Sequence, residues 1–540
     1  GRICRRACAL DMWPLALATL AAVLAAHASQ YDDHYHPQTD AYTADDVDDA
    51  ELDAAHWLKL GQDAIESRKH NVHRDGAAKN VIFYLGDGMS VPTLAGARTL
   101  LGQLNERTGE ETQLSFEKFP VVGLSKTYCV NNQVADSACS ATAYLCGVKA
   151  NLGTLGVTAR VARGNCSASL EDAVRVRSMA AWALDAGKDV GIVTTTRITH
   201  ASPAGTYAHS ADRGWEAHAP HDGCYDIAHQ LVHHDPGKRF KVILGGGRRN
   251  FRATDGGLRE DDRDLTKEWL ADKEERNVSA AYVENLKQLR EVDLNRTDYL
   301  LGLFSENHAP YDAERNEETD PSLSELTQAA IQILKRNEKG FFLFVEGGRI
   351  DHAHHDNRVR LALLETIEFA NAVEKADALE DTLVVVTADH SHVMAFNGYS
   401  QRGRDVLGPA RDRDRNGVPY MILSYTNGPG FRSHSADGLR TDPTAENTFG
   451  SMRWRTHVDV PLGSETHGGE DVPVFARGPQ QHMFTGLYEQ SHLPHLVGYA
   501  ACLGAGRKAA ACVDAAHTHL AAMPLLAMLT LVAMLRGRLF

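Results

Sequence analysis

Positive charge is what this sequence has too little of: 56 Lys and Arg stand against 71 Asp and Glu, a formal net charge of −15. A chain this acidic has no general electrostatic hold on nucleic acid, so no nucleic-acid partner is expected. No internal repeat is visible. Long hydrophobic runs are lacking too. Neither of the two apolar stretches flanking the chain reaches the roughly 20 residues of a membrane-spanning helix. What is present is a globular balance of 43% apolar and 24% charged residues over 540 positions. It excludes a disordered or low-complexity chain, and the length suggests about three or four domains. The 27 histidines direct attention to metal and proton chemistry wherever they stand among carboxylates.

The first apolar stretch, 15–26, follows Met12 and ends in Ala26-His27-Ala28, a small-x-small cleavage pattern. Residues 1–28 are expected to be leader and secretory signal, and residues 29–50 an acidic arm. The second stretch, 520–535, is short and near the end. It fits a GPI-attachment tail over 514–540, with Asp514 as the attachment residue. The expected location is the outer face of the plasma membrane, reached through the secretory pathway. Nine cysteines, two of them upstream of the signal, agree with export. The remaining odd number leaves at least one without an internal partner. Asn165, Asn277 and Asn295 stand in Asn-x-Ser/Thr triplets and are candidate glycan acceptors.

Short continuous apolar runs recur at 81–85, 190–193, 241–244, 341–345, 383–386 and 472–476. Rich in Val, Ile and Phe, they read as strands buried on both faces. Helical spacing at 173–186, 323–334 and 361–379 separates several of them. The alternation predicts an α/β domain over 51–513, with a central, mostly parallel sheet sandwiched by helices. Residues 398–465, rich in Arg, Asp, Gly and Pro, read as an inserted subdomain, and the charged segment 250–320 as a surface insertion.

In such sheets ligands bind beyond the carboxyl ends of the strands, and polar clusters stand at those ends here. They are Gly86-Asp87-Gly88, then His200 with Ser202, then Glu346 followed by Asp351-His352-Ala353-His354-His355, then Asp389-His390-Ser391-His392. Asp351 and His355 are four apart, hence on one face of a helix, as metal ligands are. Glu346 offers an oxygen suited to a hard cation such as Mg²⁺. Any one cluster reads equally well as a helix cap and solvated loop; four together point to one site. Asp136-Ser137, ahead of a small-residue helix, is either a cap or a nucleophile at a helix N-terminus, a position that favours an anionic substrate. No Gly-x-Ser-x-Gly elbow surrounds Ser137.

Six segments resemble the alkaline phosphatase family, in the family's order, over about residues 50–510. They are Leu85-Gly86-Asp87-Gly88-Met89, Asp136-Ser137 through Cys146-Gly147, Thr199-His200-Ala201-Ser202 through His209, Val345-Glu346 through Asp351-His352, Thr387-Ala388-Asp389-His390-Ser391-His392, and Glu465-Thr466-His467-Gly468-Gly469-Glu470-Asp471. The similarity is greatest to animal, membrane-attached members. It implies a phosphomonoester hydrolase with two zinc ions and one magnesium ion per subunit, working through a phosphoserine on Ser137. One zinc site would be Asp351, His355 and His467; the other, Asp87, Asp389 and His390. Magnesium would take Asp87, Ser202 and Glu346. Arg213 would clamp phosphate, oriented by Asp136, with His200 and His352 near the substrate. The resemblance further implies disulfides Cys166–Cys224 and Cys502–Cys512, leaving Cys129, Cys139 and Cys146 over, with Cys139 a small core residue. It implies a calcium site including Phe304 and Asp320, although Ser305 replaces an acidic ligand there. It also implies a homodimer, with residues 398–465 a crown at the interface and Tyr399 reaching the partner. Ala138 and Ser464 depart from residues common in relatives. The alternatives are a sulfatase, which needs a Cys/Ser-x-Pro-x-Arg context absent around Ser137, and a surface receptor that keeps the fold without the chemistry.

Overall fold

In the computed structural model, residues 49–69, 74–220, 223–508 and 512 are described. The expected leader, signal and most of the arm (1–48) and the expected tail with Asp514 lie outside them. The strand β1 (Asn80–Gly86) shows how the core is divided. Its side chains leave alternately, as the period of two requires. Ile82 and Tyr84 join one apolar cluster, and Val81, Phe83 and Leu85 join the other. Both faces are dry, which is why the run is continuously apolar.

The other strands of this sheet are β2 (Val121–Lys126), β3 (Asp189–Arg197), β4 (Val242–Gly246), β5 (Ala280–Val283), β6 (Tyr299–Leu303), β7 (Phe341–Gly347) and β8 (Thr382–Thr387). Beyond a short bridge, β9 (Ser391–His392) with β10 (His467–Gly468), come β11 (Val472–Arg477) and β12 (Gly486–Glu489). The order in the ten-stranded sheet is β12-β2-β11-β8-β1-β7-β3-β4-β6-β5. Only β11 runs against its neighbours within it; every other pair is parallel. The expected mostly parallel sheet is therefore present. Residues 250–320 differ from expectation: besides surface loops they supply β5 and β6, one edge of the sheet. Residues 398–465 hold short strands such as Pro409–Arg413, Pro419–Met421 and Leu423–Gly428.

Helices used below are α1 (Ala54–Lys69), α2 (Val91–Leu104), α3 (Ser137–Cys146), α4 (Met179–Asp185), α5 (Ala201–Ala204), α6 (Leu323–Leu334), α7 (Arg349–His355), α8 (Val359–Glu374) and α9 (Leu493–Ala501). Those at α2, α6 and α8 cover one face of the sheet; α3, α4 and α9 cover the other. The expected helix at 173–186 is broken before α4. Val176 donates its amide to Gly156 O, and Ser178 caps the helix that follows.

Disulfides join Cys166 to Cys224 and Cys502 to Cys512. Cys129 and Cys139 are not left over: they form a third bridge, so Cys139 is a cross-link rather than a plain core residue. Cys146 is a buried free thiol.

On α8, Glu365 lies buried and accepts the Asp312 amide at 2.5 Å. Burial pushes its carboxyl up to about 8. Between about pH 4.5 and about 8 the folded chain keeps a proton that the unfolded chain releases. Stability therefore falls as pH rises through that window, by at most about 1.4 kcal/mol per pH unit, and levels off above it. Glu365→Gln should gain thermal midpoint relative to the parent between pH 5 and 8, with a constant difference above. Melts showing a pH-independent difference would contradict this.

Candidate active site

The four central strands end in one row. Leu85 of β1 pairs with Glu346 of β7 and with Thr387 of β8, and Glu346 pairs with Thr194 of β3. The residues that follow therefore emerge at a single rim. The chain turns sharply after β1 through Gly88, whose φ is +68°. A Cβ there would sit 2.4 Å from the His392 ring, so only glycine fits. Its amide donates to Asp389 Oδ1 at 2.9 Å, tying the end of β1 to the turn after β8.

Three groups of donors meet at this rim. Asp351 and His355, one turn apart on α7, lie 3.3 Å from each other, and His467 Nε2 is 3.3 Å from the same Asp351 oxygen and 3.1 Å from His355 Nε2. Beside them, His390 Nε2 lies 3.0 Å from Asp389 Oδ2 and 3.5 Å from Asp87 Oδ1. Asp389 and His390 occupy an irregular turn, which lets adjacent side chains point the same way. Asp87, His200 and Glu346 form the third group, and the hydroxyl of Ser202 on α5 is buried. Glu346 also receives the hydroxyls of Thr194 and, at 2.9 Å, Thr196.

Negative charge is in surplus here. Burial, then the charges of Asp389, Asp351 and Glu346, push Asp87 well above the carboxylate range. Burial pushes Glu346 up to about 7. Among the described residues, no hydrogen-bond donor serves either Asp87 oxygen or Glu346 Oε1, all of them buried. Buried anions in that condition need cations. Mixed carboxylate–imidazole sets suit zinc, and the oxygens of Asp87, Ser202 and Glu346 suit magnesium, so the residues fit the implied ions.

The other half of the rim carries the serine. Asp136 caps α3, accepting Cys139 N at 3.2 Å and Gly153 N at 2.9 Å. Alanines and other small residues let all ten positions of α3 be buried. Ser137, at its first turn, stands 3.3 Å from His390 Nε2. Arg213 Nη1 donates to Asp136 Oδ2 at 3.0 Å, and its Nη2 to His200 Nε2 at 3.1 Å. Burial, with Arg213 beside it, holds His200 neutral, as an acceptor must be. The His352 ring lies 5.6 Å from His200 and 4.2 Å from His308.

Sequence reasoning assigned no role to His392, Glu465 or His308. His392 Nε2 lies 2.9 Å from Asp351 Oδ1 and its Nδ1 2.5 Å from Glu465 Oε2. Burial opposes its charge, but Glu465 and Asp351 outweigh burial and hold it at about 10. His392 thus fixes Asp351. The signal was present in the two-residue step from His390 to His392, which an extended chain puts on one side. Ser464 Oγ stands 3.3 Å from His355 Nδ1, which donates at 2.6 Å to Glu465 O.

Glu306, beside Ser305, is engaged by Arg248 at 2.8 Å and by Arg252, and Asp320 is turned onto its own loop, accepting Asn316 N at 3.0 Å. Guanidinium groups already answer the Glu306 carboxylate.

Fold and rim together define a hydrolase whose mostly parallel sheet carries a carboxylate- and histidine-rich site at one rim. The chain belongs to the alkaline phosphatase family, whose profile matches residues 78–503. It is 57% identical over 516 residues to the membrane-bound alkaline phosphatase of Bombyx mori, covering 91% of this chain and 93% of that one. It is 45% identical over 513 residues to the human tissue-nonspecific isozyme, covering 90% and 95%. Among solved structures, alkaline phosphatase from Thermus thermophilus superposes with a TM-score of 0.59 at 26% identity, over 80% of this chain and 93% of its own. That from the Antarctic bacterium TAB5 does so at 0.56 and 21%, over 80% and 100%. The activity is that of a phosphomonoester hydrolase.

Asp136→Ala removes the carboxylate that holds Arg213. A charge-assisted hydrogen bond is worth about 1.5–3 kcal/mol, so inorganic phosphate should inhibit the variant at least about tenfold more weakly. Competition against p-nitrophenyl phosphate reads this; unchanged inhibition would contradict it.

Proposed function

We propose that the enzyme cleaves phosphomonoesters through a phosphoserine on Ser137, releasing an alcohol and inorganic phosphate. The observation that carries this reading is the Ser137 hydroxyl at the N-terminus of a buried helix, beside His390 and near the donor-poor carboxylate of Asp87. Asp351, His355 and His467 would hold one zinc, Asp87, Asp389 and His390 the other, and Asp87, Ser202 and Glu346 the magnesium. When bound, these cations neutralise charge on the attacking and departing oxygens and favour ionisation of the serine.

The chain's own groups do the rest. Arg213 grips two phosphoryl oxygens with its planar fork, held in plane by Asp136 and His200. The amides opening α3 add a positive dipole end toward the same anion. Ser137 Oγ attacks phosphorus in line, the ester oxygen leaves on the opposite side, and water then attacks the phosphoserine from the vacated side. His352 flanks this pocket through His200.

The reading extends to the chain's surroundings. Asn165, Asn277 and Asn295 are exposed and would carry glycans. Tyr399 is 55% exposed and, with the 398–465 crown, would meet a second copy in a homodimer. A GPI lipid on Asp514 would hold the enzyme at the outer face of the plasma membrane. The Bombyx mori relative is named membrane-bound, and among the described residues no helix is long and apolar enough to cross a membrane.

Ser137→Ala should lose at least about 10³-fold in turnover of p-nitrophenyl phosphate, trap no acid-stable phosphoenzyme, and keep its zinc and magnesium by elemental analysis. Equal turnover in this variant would exclude the phosphoserine route. Treatment of cells with a phosphatidylinositol-specific phospholipase should release the activity; activity that stays on the cells contradicts the anchor.

A further inference from the structure

We propose that the Cys129–Cys139 disulfide is a positioning clamp for the reacting serine and the groups around it. The proposal rests on the role of Ser137 given above. Both sulfurs are buried, Cys129 at 3% and Cys139 at 2% exposure. Between them run the exposed residues 130–134 and then three consecutive residues that each serve the rim. Ala135 O accepts His467 Nδ1 at 2.7 Å. Asp136 Oδ2 holds Arg213 at 3.0 Å. Ser137 Oγ faces His390 at 3.3 Å. A phosphate-gripping arginine, a cation-side histidine and the nucleophile thus depend on one short segment.

The segment is otherwise tied by hydrogen bonds: Gly153 N donates to Asp136 Oδ1 at 2.9 Å and Cys129 N to Asn132 O at 3.0 Å. Val130 N donates to Ala150 O at 3.0 Å, and Asn131 Oδ1 accepts Leu152 N at 2.9 Å. Upstream, the chain comes from β2, which is fixed in the sheet; downstream it enters α3. The disulfide joins these two fixed ends across the exposed stretch. It packs with Ala135, Ala150 and Leu152 in a small apolar cluster directly behind the serine turn. Without the bond, the fold keeps β2 and α3 but loses the covalent link that sets their separation at this point. A displacement of about 1 Å at a reacting group can cost about 10²-fold in rate.

The chain supplies its own control. Cys502–Cys512 spans the same ten positions as Cys129–Cys139. Removing either bond releases the same loop-closure entropy in the unfolded state. Cys502, however, caps α9, its amide donating to Gly498 O.

The test compares Cys129→Ala/Cys139→Ala with Cys502→Ala/Cys512→Ala in the full chain loaded with zinc and magnesium. Both pairs should lower the thermal midpoint. Only the first should lose kcat on p-nitrophenyl phosphate, by about 10- to 100-fold, and bind inorganic phosphate more weakly by calorimetry, at a temperature where near-UV circular dichroism shows both folded. The proposal is overturned if the first pair keeps kcat and phosphate affinity within about twofold of the parent, or if both pairs lose them alike. Should the first pair not fold, peptide mapping of the active parent without reductant decides. Finding residues 129 and 139 joined supports the clamp; finding them alkylated as free thiols in fully active enzyme overturns it. A parent without turnover would instead strike the role of Ser137 itself, a result the variants cannot mimic.

Discussion

Asp87, Glu346, Asp351 and Asp389 bring four buried carboxylates to the end of one sheet. Each ionised carboxylate taken from water costs several kcal/mol, and neighbours of like sign raise that cost. The chain answers part of the charge itself. His392, held between Asp351 and Glu465, carries a proton for both. Arg213 is spent on Asp136 and leans on a neutral His200. Nothing comparable serves Asp87 and Glu346, and their upward shifts are the mark of it. Cations bound there would contribute to folding as well as to chemistry.

Register delivers the surplus to one point. Leu85, Glu346, Thr194 and Thr387 stand level in adjacent parallel strands. A slip of one residue in any of them would turn its rim residue to the other face and move an apolar neighbour into the site. The long-range pairing of His392 with His467 across β9 and β10 then folds a distant segment back over the same rim. The sheet is therefore the ruler of the site.

The legible parts of the sequence were those where local pattern and burial coincide. β1, β3, β4, β7, β8 and β11 are dry on both faces and read as continuous apolar runs. The strand β2 escaped notice because burial alternates along it, leaving Val122 and Leu124 exposed. The strands β5 and β6, at one side of the sheet, were hidden by the charged residues around them. Asp87, Glu346, Asp351, Asp389 and His390 stood out because each follows or ends such a run. Glu465 did not: its partner His392 is 73 positions away, and no local spacing carries that contact. The Cys129–Cys139 bridge was missed for a related reason. Ten positions of loop and helix say little about the distance between two sulfurs until β2 and α3 have been placed.

The two halves of the rim are thus supported by different physics. On the cation side, side chains stand on strand ends whose positions are set by many backbone hydrogen bonds, and a lost contact there is shared among neighbours. On the serine side, Ala135, Asp136 and Ser137 hang between an exposed loop and the first turn of a helix, where fewer bonds set the geometry. Burial of α3 fixes the direction of the helix but not the path of the chain into it. A covalent link at that entry supplies the missing restraint without adding a polar group to a site already overloaded with charge. An ion pair in the same place would have brought another buried charge near Asp87 and Asp389, and it would have competed with Arg213 for Asp136. A disulfide is neutral, short and apolar, and those properties suit it to stand behind a nucleophile whose surroundings are already crowded with buried carboxylates.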